Sequence, residues 1–372
     1  MSKKAIVAGH VCIDITPVFP DINRNAKDLG EILKPGKLVN VLAPDIHTGG
    51  SVANTGLGMK RLGAQVKLIG KIGTDSFGEM IRGVFSEYDA DEDLIVNPDE
   101  TTSYTFVIAP PGIDRAFLHC PGANDSFDGT EISDEVLNDV ALFHFGYPTL
   151  MRKMFIEDGK YLVNMYKRMC EKDIATSLDL AAVDLQSESG KANWEKILAS
   201  VLPYVDFFVP SFEELCLMLD RERYKELLKR AGNSDMTNFL DVDEDIIPLA
   251  KKCLALGAKA VLLKCGAPGL FLMTSDKMTN VGKKLELDSK NWNNFCRFER
   301  SYKIPHVLSG TGAGDVTIAA FLMSLLEGFG PGVAVENAAA SGALSCLSYD
   351  AVSGLKTLRE IRELIDAGWE KA

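Results

Sequence analysis

The sequence has too few positive charges to coat an extended polyanion: 40 Lys and Arg stand against 52 Asp and Glu over 372 residues, a net charge of −12 at pH 7. That balance excludes a broad nucleic-acid or anionic-membrane surface, so any anionic ligand must be held by local features. Paired cysteines are also lacking. The eight (Cys12, Cys120, Cys170, Cys216, Cys253, Cys265, Cys296, Cys346) lie far apart, no C-x-x-C occurs, and five scattered histidines complete no zinc pattern. Reduced thiols in a cytoplasm are the expectation. No apolar run reaches the roughly 20 residues that span a bilayer. The start, MSKKAIVAGHVCIDI, is interrupted by His10 and Asp14, and reads as a first strand and not as a signal peptide. The charged stretches 220–247 and 276–304 are neither low in complexity nor repeated. What is there, 46% hydrophobic and 25% charged residues, fits a globular chain with a large core.

Short apolar runs alternate with helix-like stretches: AIVAG (5–9), VKLIG (66–70), LFHFG (142–146), ATSLDL (175–180), VDFFVP (205–210) and AVLLKCG (260–266). Nearly continuous apolar strands separated by helices predict a parallel sheet covered on both faces, an α/β fold. Residues 101–120, TTSYTFVIAPPGIDRAFLHC, break that rhythm. Thr102, Tyr104, Phe106 and Ile108 alternate with Ser103, Thr105 and Val107, and PPGID turns the chain into a second short strand. With the loop-rich region 15–48, this hairpin predicts a small β element projecting from the core and able to cover a site. The charged stretches 220–247 and 276–304 read as surface insertions.

The stretch SGTGAGDVTIAAFLMSLLEGFG (309–330) feeds a glycine turn into a helix. Unpaired N–H groups of Gly312, Ala313 and Gly314 at the positive end of the helix dipole form an anion cradle. The stretch has no Gly-Lys-Ser/Thr ending and no G-x-G-x-x-G after a strand, so it is neither a Walker loop nor a dinucleotide fingerprint. Asp315 would repel a static phosphate; beside the cradle it suits a base acting on the group that attacks the phosphate. It suits an N-cap equally well, and the loop alone leaves both roles open. In HTGGSVANTGLGMKRLGAQVKLIGKIGTDSFG (47–78), Gly49 and Gly50 precede Ser51, read as a helix cap, and Asn54 opens a helix ending near Gly63. Neutral hydrogen-bonding groups there suit a polyol.

These two stretches, about 235 residues apart, resemble the signatures of the PfkB, or ribokinase-like, carbohydrate kinases. The first matches the glycine pair, the asparagine and the G-x-D-x-x-G ending (Gly73, Asp75, Gly78); the second matches GTGAGD. The resemblance covers essentially the whole chain. It implies one ribokinase-like domain over 1–372: a three-layer α/β/α core with a mainly parallel sheet, and a β lid from about 15–48 and 98–121. It implies an ATP-dependent sugar kinase acting on a small sugar or polyol, with a nucleoside kinase or a catalytically weak sugar-binding regulator as alternatives. Asp315 is then the catalytic base and Gly312, Ala313 and Gly314 the anion hole. The sugar would be held by Asp14, Gly49, Gly50 and Asn54, with Arg115 and His119 facing it from the hairpin. ATP would be met by Lys264, Gly266, Gly269, Thr311 and Asn337, and Mg2+ ordered by Glu214. Two departures stand out. Ser211 replaces the asparagine of the N-x-x-E motif, and Ser309–Gly310 replace the Asp-Thr associated with a monovalent cation, so a weak response to potassium is expected. Tyr104, Phe106 and Phe117, read as one apolar face of the hairpin, imply a homodimer through the lid.

Overall fold

The computed structural model describes residues 3–20, 28–111, 113, 116–232 and 234–372. Along the chain its strands are β1 (Lys4–Gly9), β2 (Cys12–Thr16), β3 (Asp45–Gly49), β4 (Gln65–Ile69), β5 (Tyr104–Ile108), β6 (Ala116–Cys120), β7 (Val140–Gly146), β8 (Ala175–Leu178), β9 (Phe207–Phe208), β10 (Ala260–Lys264), β11 (Gly269–Thr274) and β12 (Cys296–Arg300). Eight of them form one sheet in the order β12-β11-β10-β9-β8-β7-β1-β4. Every pairing from β10 to β4 is parallel, and β11 and β12 extend the sheet as antiparallel strands. All six apolar runs of the sequence fall on the parallel part.

Burial on both faces explains those runs. Along β7 every residue of VALFHFG is buried, and successive side chains enter opposite cores: Leu142 on one side, Phe143 and Phe145 on the other. The first core is closed by two long helices, α5 (Ala313–Leu326) and α6 (Pro331–Ser345), here numbered after α1 (Gly58–Leu62), α2 (Ser76–Ser86), α3 (Phe212–Leu219) and α4 (Arg221–Ala231). From Asp315 to Leu326 every residue of α5 is buried, so an all-round apolar helix was readable as a core element. The second core takes α3, α4 and the helix Lys160–Glu171. The result is a three-layer α/β/α arrangement. Among the described residues, no helix is long and apolar enough to cross a membrane.

β2, β3, β5 and β6 make a second, four-stranded sheet in the order β3-β2-β5-β6, parallel between β2 and β5 and antiparallel elsewhere. It springs directly from the main sheet, because only His10 and Val11 separate β1 from β2. Asn124 stabilises that bend by bonding both Val11 backbone groups, at 3.3 Å to its N–H and 2.9 Å to its carbonyl. The signature ending at Gly78 anchors the same region. Asp75 accepts from Gly78 N (2.9 Å) and Thr102 N (2.7 Å), which caps α2 and pins the start of the hairpin.

Two sequence expectations need correction. Opposed residues share a face of a hairpin, and the register sets Phe117 against Val107 and His119 against Thr105. Phe117 therefore lies on the face of Thr105 and Asp14, whereas Tyr104 and Phe106 lie on the other and pack on Phe77 and the core. The charged stretches are also more than surface insertions. Residues 276–304 supply β12 and a buried Trp292 that meets Phe207 and Phe321 at 5.9 and 6.0 Å, and 220–247 supply α4 with buried Leu227 and a buried Asp245 held by Arg223 at 2.6 Å.

Candidate active site

The parallel strands end at one edge, and the second sheet stands over it. There β3 finishes at Gly49 and Gly50. A Cβ on Gly49 would lie 2.1 Å from Asp14 Oδ2, and one on Gly50, at φ +86°, would lie 2.5 Å from the His10 carbonyl. The glycine pair is thus the bare backbone against which Asp14 and His10 pack. Burial raises the Asp14 carboxyl above its usual range, against hydrogen bonds from Cys12 and Thr105 and the nearby His47, while Asp315 adds to the upward push. His10 is buried and its Nδ1 has no partner among the described residues. Burial, with His119 beside it, lowers its pKa to about 3, so it is a neutral imidazole. The His119 ring stands 5.3 Å away, its Nδ1 3.0 Å from Thr105 Oγ1.

Ser51 does not act as a cap: its own backbone is already helical, and its buried hydroxyl has no partner among the described residues. The helix opens instead on wide turns, Val52–Leu57, and runs on as α1 to a left-handed Gly63. Those wide turns carry Asn54 and Thr55, and both reach Asp315.

α5 starts at Ala313 with Gly312, φ +75°, at its N-cap. Asp315 is the third residue of the helix and caps nothing, which removes the bland alternative for it. Asp315 is 4% exposed. Asn54 Nδ2 donates to Oδ2 at 3.0 Å, Thr55 Oγ1 to Oδ1 at 3.3 Å, and the Tyr147 hydroxyl lies 2.9 and 2.8 Å from Oδ1 and Oδ2. Burial raises the carboxyl's pKa; Lys264 and these three donors hold it down. Tyr147 reaches it from a backbone at φ +66°, ψ +42°. For a bulky residue followed by proline that conformation is doubly disfavoured and costs about 1–3 kcal/mol. In the loop before α5, Ala313 N–H turns back on the Gly310 carbonyl at 3.3 Å, and no group among the described residues accepts from Gly312 or Gly314 N–H.

On the other side of Asp315, Lys264 ends β10 with Nζ 2.7 Å from Asp179 Oδ1, and its stem runs past Gly314. Asp179, 1% exposed, follows β8. Burial pushes its carboxyl up to about 8, Lys264 opposing and Glu214 and Asp315 adding. Glu214 lies in the first turn of α3 and forms a capping box with Ser211: Glu214 Oε2 accepts from Ser211 N at 3.3 Å, and Ser211 Oγ from Glu214 N at 3.4 Å. Serine thus completes the helix start where the motif has asparagine.

The structure brings together Asp14, Gly49, Gly50, Asn54, Lys264, Glu214 and Gly312 to Asp315. Gly266 and Gly269 shape the turn between β10 and β11, at φ +63° and +139°, where a Cβ would strike Thr237 or the Glu299 carbonyl. Thr311 lies in the exposed turn before α5. Asn337 is not brought to the site: it is fully buried in α6, and its amide donates to Ser324 Oγ on α5 at 3.0 Å. Arg115 lies outside the described residues. Sequence reasoning missed Thr55, Tyr147, Asp179 and the part played by His10. Asp179 carried a usable signal, a carboxylate at the end of the apolar run ATSLDL; Asp14, read at the end of the first strand, lies instead in the middle of β2, because the chain bends at His10 and Val11; nothing in FGYP announces a left-handed tyrosine.

In overall shape the chain is similar to an Arabidopsis thaliana ribokinase complexed with ribose and ATP, at TM-score 0.71 and 19% identity over 98% of this chain and 99% of that one. It is similar as well to a structure assigned as a ribokinase II from E. coli with ATP and Mg2+, at TM-score 0.67 and 20% identity over 98% and 99%. A 5-dehydro-2-deoxygluconokinase of Clostridium beijerinckii is 26% identical over 361 residues, 96% of this chain and 91% of that protein. The class is therefore that of the sugar kinases built on the ribokinase fold. Within it the chain belongs to the pfkB family of carbohydrate kinases, whose profile matches residues 7–358.

Proposed function

We propose that the protein transfers the γ-phosphoryl group of ATP to a hydroxyl of a small sugar or polyol, with Asp315 as general base. The observation that carries this is a buried carboxylate at the first turn of α5, held by Asn54, Thr55 and Tyr147 and flanked by the N–H groups of Gly312 and Gly314, which have no acceptor among the described residues. The acceptor's hydroxyl proton passes to Asp315, its oxygen bonds to the γ-phosphorus, and the bond to the β-phosphate oxygen breaks. The N–H groups of the loop stabilise charge on the transferring phosphoryl group, where preorganised dipoles contribute most. Lys264 sits beside Gly314 as a point charge for the phosphates, and Gly266, Gly269 and Thr311 border the nucleotide.

The residues present fit a divalent cation arriving with the nucleotide. Asp179, which pairs with Lys264, has the carboxylates Glu214 and Asp315 near it; burial first, and then those two charges, raise it to about 8 against the pull of Lys264. No group of three or more His, Cys, Asp or Glu among the described residues is disposed to hold a metal. Mg2+ would thus bind mainly through phosphate oxygens and water, with Glu214 ordering that water. Bound there, it would offset phosphate charge.

Asp14, Gly49, Gly50 and Asn54 hold the acceptor, and the second sheet serves as the lid over it. Relatives named 5-dehydro-2-deoxygluconokinases place that acid sugar among the acceptors to be tried. Two carboxylates close enough for Asp315 to push up Asp14 favour hydroxyls over a carboxylate at that end of the acceptor. A nucleoside is disfavoured: Tyr104 is committed to Phe77 and Phe106 at 5.3 and 5.7 Å, on the face of the hairpin opposite Phe117, so the two do not form one aromatic platform for a base. A cytoplasmic dimer closed through the lid completes the reading, since Phe117 and Leu118 are 59% and 62% exposed. Release of ADP, measured across a panel of neutral sugars, polyols, 5-dehydro-2-deoxygluconate and nucleosides, tests the reading. A neutral sugar or polyol should give the fastest release; a nucleoside winner would replace the acceptor class, and no acceptor-dependent release would leave only a sugar-binding regulator.

A further inference from the structure

We infer that Tyr147 is a positioning residue for phosphoryl transfer, its hydroxyl fixing the Asp315 carboxylate toward the acceptor. The inference rests on Asp315 being the base. Asn54 binds Oδ2 and Thr55 binds Oδ1, both from the wide turns before α1; Tyr147 comes from the end of β7 and stands almost equally close to the two oxygens, at 2.9 and 2.8 Å. A hydroxyl so placed can stay bonded to one oxygen while the other receives the acceptor's proton, so the carboxylate does not turn as its charge is lost. The tyrosine keeps its own proton throughout. Burial and the neighbouring carboxylates Asp315, Asp179 and Glu214 hold its hydroxyl well above the usual phenol range, which makes it a donor and not a second base. The ring of neutral His10 is 6.1 Å away, and Lys264, paired with Asp179, is the cation that holds the Asp315 carboxyl down.

The backbone adds an independent argument. A left-handed aromatic residue ahead of Pro148 persists only where its surroundings over-determine it. Here they do. Gly146 faces Gly9 in register, a Cβ on Gly9 would lie 2.3 Å from the Gly146 carbonyl oxygen, and a Cβ on Gly146 would lie 2.3 Å from Ser51 Cβ. Two strand ends and the Ser51 turn press this bend into place.

The test is a cycle of Tyr147→Phe, Asp315→Asn and the double variant, with the acceptor chosen by the ADP-release panel. A hydrogen bond to a charged group supports a loss of roughly 10- to 100-fold in kcat for Tyr147→Phe, with KM for ATP and acceptor changed less than about threefold. Removing a donor that holds Asp315 down should also move the acid limb of the kcat profile to higher pH. In the Asp315→Asn background the same change should cost less than about twofold, because the carboxylate it serves is gone. Equal losses in both backgrounds, or a Tyr147→Phe enzyme with unchanged kcat and pH profile, would overturn the proposal. A wild-type rate in Asp315→Asn would overturn the base assignment itself, a result separable from the tyrosine's.

Discussion

Replacing Asp315 by asparagine separates chemistry from architecture, because the structure limits what the change can do to the fold. Gly312, not Asp315, occupies the N-cap of α5, so no cap is lost. The amide oxygen can keep the bonds from Asn54 and Tyr147, and the new NH2 faces the Thr55 hydroxyl, which can turn to accept. Losing a negative charge from the first turn of a helix costs about 0.3–1 kcal/mol. Against that stands relief of a buried charge. Burial raises this carboxyl's pKa, so its contribution to stability is full below the unfolded pKa and fades as pH rises through the folded value; near neutral pH asparagine removes that loss. The two effects oppose each other, and stability should change by less than about 1 kcal/mol, with Tm level or slightly raised. The amide cannot take the acceptor's proton. General-base catalysis contributes 10²–10⁴-fold, roughly 3–5 kcal/mol of barrier, so kcat should fall by at least two orders of magnitude. ATP should bind as well or better, since one repelling charge is gone. Thermal melting, calorimetry with ATP and the ADP-release rate read the three parts. A variant that melts normally and turns over at close to the wild-type rate would refute the reasoning.

Glu214→Gln should raise the magnesium concentration needed for half-maximal rate while leaving acceptor binding within about twofold, because Glu214 stands in the capping box of α3, apart from Asp14 and Asn54; weakened acceptor binding with an unchanged magnesium requirement would show the role misassigned. Potassium should activate little, since Ser309 offers no carboxylate and its hydroxyl accepts from Thr311 N at 3.1 Å; many-fold activation by KCl over choline chloride at equal ionic strength would contradict this. Asp179 titrates near 8 when folded and near 4 when unfolded, so between those values the folded chain holds a proton that the unfolded chain has lost, and stability falls as pH rises. Asp179→Asn should therefore gain in Tm over wild type as pH goes from 5 to 8.5, and parallel Tm curves would argue against it. Sedimentation should find a dimer at micromolar concentration, dissociated by Phe117→Ser with Leu118→Ser; a wild-type monomer would limit the lid to closing within one subunit.

How far the sequence reached can be followed through single residues. The six parallel strands were visible because burial on both faces forbids polar alternation, and β7 reads as an apolar run for that reason alone. Gly49, Gly50, Gly63 and Gly312 were visible because each stands where a side chain would clash or the backbone turns left-handed. β12 was hidden: as an edge strand, CRFER is only partly buried and looks like charged surface. The shared face of Tyr104, Phe106 and Phe117 failed because alternation along one strand says nothing of the register across a hairpin whose turn sets it.

The sequence by itself determined the layered α/β plan, the glycine cradle and the presence of Asp315 at a helix start, all of which follow from local periodicity and backbone freedom. What surrounds Asp315 was decided between elements far apart in the chain. Asn54, Thr55, Tyr147 and Lys264 meet it only because parallel strands carry their ends to one edge of the sheet, and their separations of up to 261 residues leave no local trace. Burial at the same edge raises Asp179 to about 8, against Lys264 and with Glu214 and Asp315 adding, since a carboxylate's proton affinity depends on how little water and which charges surround it. Tyr147 is the sharpest instance: an ordinary residue between glycine and proline in the sequence, it is held in a strained left-handed bend by the packing of β1, β7 and the Ser51 turn, and only that packing aims its hydroxyl at Asp315.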